Sequence, residues 1–152
     1  MHAVPTASDP PVYRSKTIAA WLALVAGAIG MHRFYLHGLR DAWGWLHPLP
    51  TALGLIGVHR LRTLGQDDPV AWMLIPLLGL VLSWTMGTAI FYALTPDERW
   101  DARYNPGHAV VSTRWGPVFV AVLGLLIGGA VLMGSIAYGV QKFFEWQLEA
   151  PR

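Results

Sequence analysis

The stretch from residue 117 to residue 140 reads PVFVAVLGLLIGGAVLMGSIAYGV and contains no charged side chain. As an α-helix rising 1.5 Å per residue it would be about 36 Å long, which exceeds the ~30 Å hydrocarbon core of a bilayer. Residues 70–94 form a second long uncharged stretch. The two stretches predict two transmembrane helices, and with them the fold class, an all-α integral membrane protein.

The composition of the whole chain agrees with this class. Of its 152 residues 54% are hydrophobic and only 13% are charged, whereas a soluble domain has about 25% charged residues. The formal net charge is +2 and the two signs are interspersed, so no nucleic-acid-binding surface is predicted. The absence of cysteine excludes disulfides, thiolate nucleophiles and cysteine-ligated metals.

Two shorter apolar stretches complete a predicted set of four transmembrane helices. Residues 17–31 would form a helix of about 22 Å, which reaches the length of a span only if the helix continues through Leu36. Residues 42–58 are interrupted by His-Pro-Leu-Pro at 47–50. Because proline breaks the hydrogen-bond ladder of a helix, this second stretch is either a kinked span or a re-entrant segment.

Charged and polar segments divide the chain into seven parts. The predicted parts are a mobile N-terminal tail (1–16), a helical hairpin (17–58), a connector (59–69), a third transmembrane helix (70–94), a polar loop with one short interfacial helix (95–116), a fourth transmembrane helix (117–144) and a C-terminal tail (145–152). A cleavable signal peptide is an alternative for the first apolar stretch, because basic residues precede it and Ala26-Gly-Ala28 resembles a cleavage site.

The polar loop contains the start and stop signals of a short helix. Thr95-Pro-Asp-Glu98 predicts a capping box with Thr95 as the N-cap, and Asn105-Pro-Gly107 ends the helix. Trp100 and Tyr104 lie one turn apart and are expected to rest on the membrane surface. The side chains expected to face water are those of Asp97, Asp101 and Arg103.

A polar motif follows the first apolar stretch and recurs after the second. The first copy comprises Gly30, His32, Arg33, Phe34, Tyr35, Gly38 and Asp41. The second copy comprises Gly57, His59, Arg60, Gly65 and Asp68. The spacing from the first glycine to the second, and to the aspartate, is the same in both copies, which indicates a duplicated connector unless the match is a coincidence. In each copy the first glycine and His-Arg end one helix, the second glycine turns the chain, and the aspartate caps the next helix.

Residues 16–58 resemble the TM-two domain, a pair of membrane helices whose short loop carries an Arg-aromatic signature after a glycine-rich first helix. The residues that match are Gly27, Gly30, His32, Arg33, Phe34, Tyr35 and Gly38. The chain departs from the pattern at His37, which precedes the glycine that usually follows Tyr-Leu directly. The resemblance implies a multi-pass protein of the bacterial inner membrane and supplies no catalytic residue.

Small residues one turn apart predict where the helices pack. They are Gly79, Ser83 and Gly87 in the third predicted helix, and Gly124 and Gly128 in the fourth. The leading functional hypothesis is a multi-pass protein that acts by helix association, as an accessory, scaffold or oligomeric component. Its partners are the lipid bilayer and other membrane helices, with no nucleic acid.

Two other function classes remain open. A small transporter or permeation subunit is the first, with His47 as the ionisable residue well inside a predicted span. An interfacial enzyme or metal site built from His32, His37 and His59 is the second, although His32 and His37 are five residues apart and helical metal ligands favour three or four. The sequence predicts no catalytic residue, cofactor or bound metal.

Four spans would place the two connectors on opposite membrane faces, as an inverted repeat. The N-terminal tail would then lie opposite the first connector. Six Lys or Arg residues would lie on one face and five on the other, so the positive-inside rule gives no orientation for this arrangement.

Overall fold

The computed structural model describes residues 12–149, and within that range the chain is helical without any strand. This confirms the predicted all-α class. The helices are α1 (Lys16–Ala26), α2 (Met31–His37), α3 (Ala42–Leu46), α4 (Pro48–Leu64), α5 (Pro69–Leu94), α6 (Asp97–Tyr104) and α7 (Gly116–Glu149), with a 3-10 turn at Gly27–Ile29.

The two longest helices, α5 and α7, pack antiparallel and form the centre of the molecule. Gly79 of α5 faces Ser135 of α7, and Gly128 of α7 faces Met86 further along α5. Both helices are long and apolar enough to cross a membrane, as judged by length and composition. They correspond to the third and fourth apolar stretches of the sequence.

The first apolar stretch does not form one continuous helix. After α1 and the 3-10 turn, Gly30 adopts the left-handed conformation with φ of 78°, and α2 then runs back beside α1. The backbone N–H of Ser15, just before α1, donates to the Tyr35 hydroxyl at 2.8 Å. A continuous helix would separate these two residues by about 30 Å.

Two glycines permit this reversal because other backbone or side-chain atoms lie directly against them. A Cβ on Gly27 would lie 2.7 Å from the Cβ of Thr85 in α5. A Cβ on Gly30 would collide with the carbonyl oxygen of Gly44 in α3. The glycines of the first stretch therefore place α1 against α5 and α2 against α3.

Helix α4 continues the line of α1 along α5. A Cβ on Gly57 of α4 would lie 2.7 Å from the Cβ of Leu74, near the start of α5, whereas α1 lies beside the end of α5. The Thr51 hydroxyl of α4 donates to the Ala28 carbonyl at 2.7 Å, where the two segments meet. Together α1 and α4 act as one broken helix, with α2 and α3 inserted between its halves.

The second apolar stretch runs in one direction. α3 ends at Leu46 and α4 begins at Pro48, and His47 between them has helical backbone angles of −67° and −43°. Both prolines lie in the first turn of α4, where an absent N–H removes no helical hydrogen bond. The chain therefore does not reverse direction between α3 and α4.

The predicted tails also differ from the structure. Residues 1–11 of the predicted N-terminal tail lie outside the described residues. Tyr13 and Arg14, which were included in that mobile tail, form hydrogen bonds with Asp101 and Asn105. At the other terminus α7 continues to Glu149, beyond the predicted boundary at residue 144, and residues 150–152 again lie outside the described range.

Candidate functional site

The two copies of the polar motif share the geometry of their Arg-to-Asp contact, whereas Gly30 turns the chain between two helices and Gly57 lies within α4. Arg33 Nε lies 2.5 Å from Asp41 Oδ2, and Arg60 Nε lies 2.8 Å from Asp68 Oδ2. A second guanidinium nitrogen of each arginine donates to the other carboxylate oxygen, at 3.3 Å and 2.8 Å respectively. We call residues 33–41 and 60–68 the arginine–aspartate connectors.

Each connector aspartate also caps the helix that follows it. The carboxylate of Asp41 accepts the backbone N–H of Trp43 at 3.3 Å, and that of Asp68 accepts the N–H of Ala71 at 3.0 Å. This is the N-cap role that their positions predict. One carboxylate therefore links the arginine of the preceding helix to the first turn of the next.

The second glycine of each connector turns the chain. Gly38 has φ of 82° and Gly65 has φ of 92°, a region that side chains with a Cβ rarely adopt. The N–H of Gly38 donates to the Phe34 carbonyl and that of Gly65 to the Leu61 carbonyl. Each glycine thus closes the last turn of one helix before the chain leaves it.

The arginines keep the connector carboxylates ionised. The hydrogen bond from Arg33 lowers the pKa of Asp41, and that from Arg60 lowers the pKa of Asp68. Both aspartates are therefore charged and paired at neutral pH, and neither is a proton donor there. The Arg-to-Asp pair of each connector holds the helices on its two sides together.

The histidines that directly precede the two connector arginines have different surroundings. His32 is 2% exposed, its Nδ1 has no hydrogen-bond partner among the described residues, and its ring centroid lies 5.4 Å from that of His47. His59 is exposed near the opposite end of α4. The structure thus places His32 beside His47, and not with His37 and His59, the other two histidines of the alternative metal-site hypothesis.

His37, the remaining histidine of that alternative hypothesis, also lies elsewhere. His37 lies 4.0 Å from the Asp41 carboxylate and beside the Tyr104 ring. Within residues 12–149, no group of three His, Asp or Glu side chains could hold a metal ion. The three histidines named for this site therefore do not form one cluster.

The aromatic residues of the first connector hold the hairpin together. Phe34 packs against Trp45 of α3 with ring centroids 5.1 Å apart, and its ring covers Gly44. The backbone carbonyl of Tyr35 accepts the Arg14 guanidinium, while its hydroxyl accepts the Ser15 N–H. Phe34 and Tyr35 therefore join α2 to α3 and to the segment before α1.

The segment before α1 is held by α6. Trp100 is 2% exposed, and its indole N–H donates to the Arg14 carbonyl at 2.8 Å. Asp101, predicted to face water, is 3% exposed and accepts hydrogen bonds from the Tyr13 hydroxyl, the Asn105 amide and the Val111 N–H. Burial of these polar groups is possible because they bond to one another.

The capping box predicted at the start of α6 does not form. Pro96 occupies the N-cap position without a side-chain bond, and the Thr95 hydroxyl donates to the Phe91 carbonyl at 2.7 Å. Asp97 instead forms an ion pair with Lys16 and accepts the Thr113 N–H at 2.8 Å. Burial would raise the pKa of Asp97, but the Lys16 and Thr113 hydrogen bonds outweigh it and hold the pKa below its usual value.

The predicted packing residues divide into two groups. Gly79, Gly124 and Gly128 lie at the contact between α5 and α7. A Cβ on Gly87 would meet no atom within 4 Å, and the Ser83 hydroxyl bonds within its own helix to the Gly79 carbonyl. The row of three on α5 is therefore not one packing surface within this chain, because Gly79 is covered by α7 and Gly87 is open.

Two interactions lie outside what the sequence analysis predicted. The Arg-to-Asp contacts could have been predicted from the sequence, because arginine and aspartate are eight residues apart in both Arg33–Asp41 and Arg60–Asp68. The Lys16–Asp97 ion pair has no comparable signal, since it joins segments far apart in the chain.

Comparison of the chain with protein-family models, curated proteins and solved structures gave no match. The resemblance of residues 16–58 to the TM-two domain therefore stays a prediction from the motif residues.

Proposed function

We propose that this chain is an integral membrane protein that acts by helix association, as a scaffold, accessory subunit or homo-oligomer. The surface of α7 carries the proposal. This helix packs on α5 along one face only, while large apolar side chains elsewhere on it are exposed, among them Leu125 at 70% and Met133 at 68%. An exposed apolar surface that extends along a whole helix favours lipid over water as its solvent.

In the proposed arrangement the chain crosses the bilayer three times, through α3–α4, α5 and α7. The hairpin of α1 and α2 enters and returns to the same side, because α1 is only about 16 Å long against a core of ~30 Å. The contact between Ser15 and Tyr35 supports this arrangement over the four predicted spans. It places the segment before α1 and the first connector at one end of the molecule.

The charges become asymmetric in this arrangement. We define the α6 end as residues 12–16, 33–41 and 95–116. Seven of the ten Lys and Arg residues within 12–149 lie there: Arg14, Lys16, Arg33, Arg40, Arg99, Arg103 and Arg114. The positive-inside rule therefore assigns the α6 end to the cytoplasm. The location implied by the TM-two resemblance is the inner (plasma) membrane of a bacterium.

Small residues on α7 provide the surface for association. Ala130, Gly134 and Ala137 lie on one face of the helix, away from α5, and all three are exposed. A Cβ on Gly134 would meet no atom within 4 Å. Rows of small residues let two helices approach closely in lipid, so a second copy or another membrane protein can pack here. The proposal includes no catalytic step, cofactor or metal.

Cysteine cross-linking in native membranes tests this proposal, because the chain has no cysteine of its own. Ala130→Cys and Gly134→Cys should form cross-linked products, either with a second copy or with a partner identified by mass. Leu125→Cys and Ile136→Cys, which are exposed on the other side of α7, are the matched controls. Equal cross-linking from both faces, or from neither, would contradict the association surface.

A transporter or permeation subunit is the second candidate function. It is favoured by His32, which is buried beside Tyr92 and contacts the half-buried His47, because ionisable side chains are uncommon in the interior of membrane proteins. Ion flux into proteoliposomes that is lost in His32→Gln and His47→Gln, with normal folding, would support this function. Absence of flux for the tested ions and protons would contradict this second function and favour the association proposal.

A further inference from the structure

A groove of about 550 Å³ lies between the last turns of α5 and helix α6. Its wall on α5 is apolar and includes Ile90, Phe91 and Leu94, and it extends down to Gly87. Phe91 and Leu94 are 67% and 69% exposed. The groove therefore has an open apolar side that runs along the axis of α5.

Two arginines border the groove at its α6 side. Arg99 and Arg103 are one helical turn apart, both are exposed, and neither has a carboxylate within 4.0 Å in the part of the chain that the structure describes. In contrast, Arg33 and Arg60 are each paired with an aspartate. Like charges one turn apart repel each other, so an anion between them would remove an unfavourable interaction.

The aromatic base of the groove anchors helix α6, which carries both arginines. Arg103 lies over the Tyr104 ring, with its guanidinium carbon 5.5 Å from the ring centroid. Tyr104 packs on the buried Trp100 at 4.5 Å between centroids. The two guanidinium groups are therefore carried by a helix that is anchored on the protein, directly beside the apolar wall.

We propose that this groove binds one anionic phospholipid. Arg99 and Arg103 hold the phosphate through charge-assisted hydrogen bonds, and one acyl chain lies along Phe91 and Ile90 towards Gly87. Charge complementarity favours this occupant, because the groove joins two unpaired cations to an apolar wall that a free phosphate cannot use. The proposal rests on the proposed membrane location, which puts α6 at the depth of the headgroups and on the side where anionic lipids attract basic residues.

Native mass spectrometry and thermal unfolding of the delipidated, detergent-purified full chain test the site. Phosphatidylglycerol should bind with one-to-one stoichiometry and raise the Tm, and phosphatidylcholine of the same chain length should bind far more weakly. The double variant Arg99→Gln/Arg103→Gln should weaken phosphatidylglycerol binding by about thirtyfold, because each basic residue near an anionic membrane surface strengthens lipid binding about fivefold. The matched control Arg40→Gln/Arg114→Gln removes the same charge at the same end, outside the groove, and should change binding less than about threefold.

The apolar part of the site needs its own variant. Gly87→Leu fills the lower end of the groove without a change of charge, and open space around Gly87 lets the chain fold. It should weaken binding of long-chain phosphatidylglycerol while the variant keeps the parent Tm in the absence of lipid. Equal stabilisation by inorganic phosphate, insensitive to Gly87→Leu, would overturn the lipid proposal in favour of a plain anion site.

Equal binding of phosphatidylcholine and phosphatidylglycerol, or an unchanged affinity of the arginine double variant, would also overturn the proposal. Resistance of the chain to carbonate extraction from membranes is measured in parallel. A chain that resists extraction but lacks lipid selectivity contradicts only the lipid site. A chain that is extracted contradicts the proposed membrane function itself.

Discussion

At the residue scale, Gly38 and Gly65 set the direction of the chain at the two connectors. Their φ angles of 82° and 92° are available to glycine at little cost. Gly65→Ala should therefore lower the free energy of unfolding by about 1–3 kcal/mol. The control is Gly129→Ala, because Gly129 lies inside α7 with open space around it and alanine is the better helix former. Similar effects of the two changes in denaturant or thermal unfolding would contradict the role given to Gly65.

The connector ion pairs make a prediction about pH. Because Arg60 lowers the pKa of Asp68 in the folded chain, the pair stabilises the fold above the ordinary carboxyl pKa and loses this effect as pH falls through the lowered value. Arg60→Ala should reduce the Tm at pH 7, and its difference from the parent should shrink below about pH 4.

The control for this pH series is Arg62→Ala, which removes an exposed arginine of the same helix and should have little effect at any pH. A Tm difference between Arg60→Ala and the parent that stays constant from neutral to acidic pH would show that the ion pair is not its cause. The corresponding change at the other connector, Arg33→Ala, should behave in the same way.

At the scale of single elements, the buried Trp100 holds α6 on the protein, and α6 in turn holds the segment before α1 through hydrogen bonds. Trp100→Ala removes a buried indole and its hydrogen bond to Arg14, so the free energy of unfolding should fall by about 3–5 kcal/mol. It should also make the peptide bonds near residues 13–16 more sensitive to limited proteolysis. Trp115→Ala, at a position 71% exposed, is the control and should do neither.

The contact between α5 and α7 can be tested by added volume. Gly79→Leu places a large side chain against Ser135, and we expect a loss of about 1–3 kcal/mol in the free energy of unfolding. Gly87→Leu should leave the unfolding free energy of the lipid-free chain almost unchanged. Equal destabilisation of the two variants would contradict the difference between Gly79, which α7 covers, and Gly87, which is open.

Element prediction from this sequence was limited by contacts distant in the chain. The two long helices could be predicted from their lack of charge, and Asp68-Pro69 marked the start of α5 because both residues suit a helix start. Thr95-Pro-Asp-Glu98 gave an equally good local signal, yet the capping box is absent. Lys16 and Thr113 bind Asp97, and these tertiary partners decide the geometry of the first turn of α6.

At the scale of the whole molecule, the direction of the first hairpin can be measured by thiol labelling. Single cysteines at Val12, His37, Gln66 and Val110 are probed with a membrane-impermeant reagent. The three-crossing arrangement predicts that Val12, His37 and Val110 label from one side and Gln66 from the other. Labelling of Val12 together with Gln66 would restore the four-span arrangement.

The overall arrangement could be only partly predicted. The equal spacing of arginine and aspartate in the two motif copies accompanies equal ion pairs and N-caps, because local rules govern helix ends and caps. The reversal at Gly30 could not be predicted, because a glycine there is equally compatible with a straight helix. The reversal depends on Ser15 and Arg14 meeting Tyr35, and on Gly27 meeting Thr85, contacts that no periodic pattern records.

The broken helix formed by α1 and α4 has a consequence for the order in which the protein is assembled during synthesis. Ala19 and Ala20 of α1 are fully buried in one cluster with Ala89 of α5. Because α5 comes more than 40 residues after α1 in the chain, α1 leaves the ribosome well before the α5 surface on which it packs. Until α5 has been translated, α1 can pack on α2 but lacks the helix against which its alanines are buried. The hairpin of α1 and α2 therefore reaches its final position only after α5 has been made, and nascent chains arrested before α5 should remain open to protease across residues 12–41.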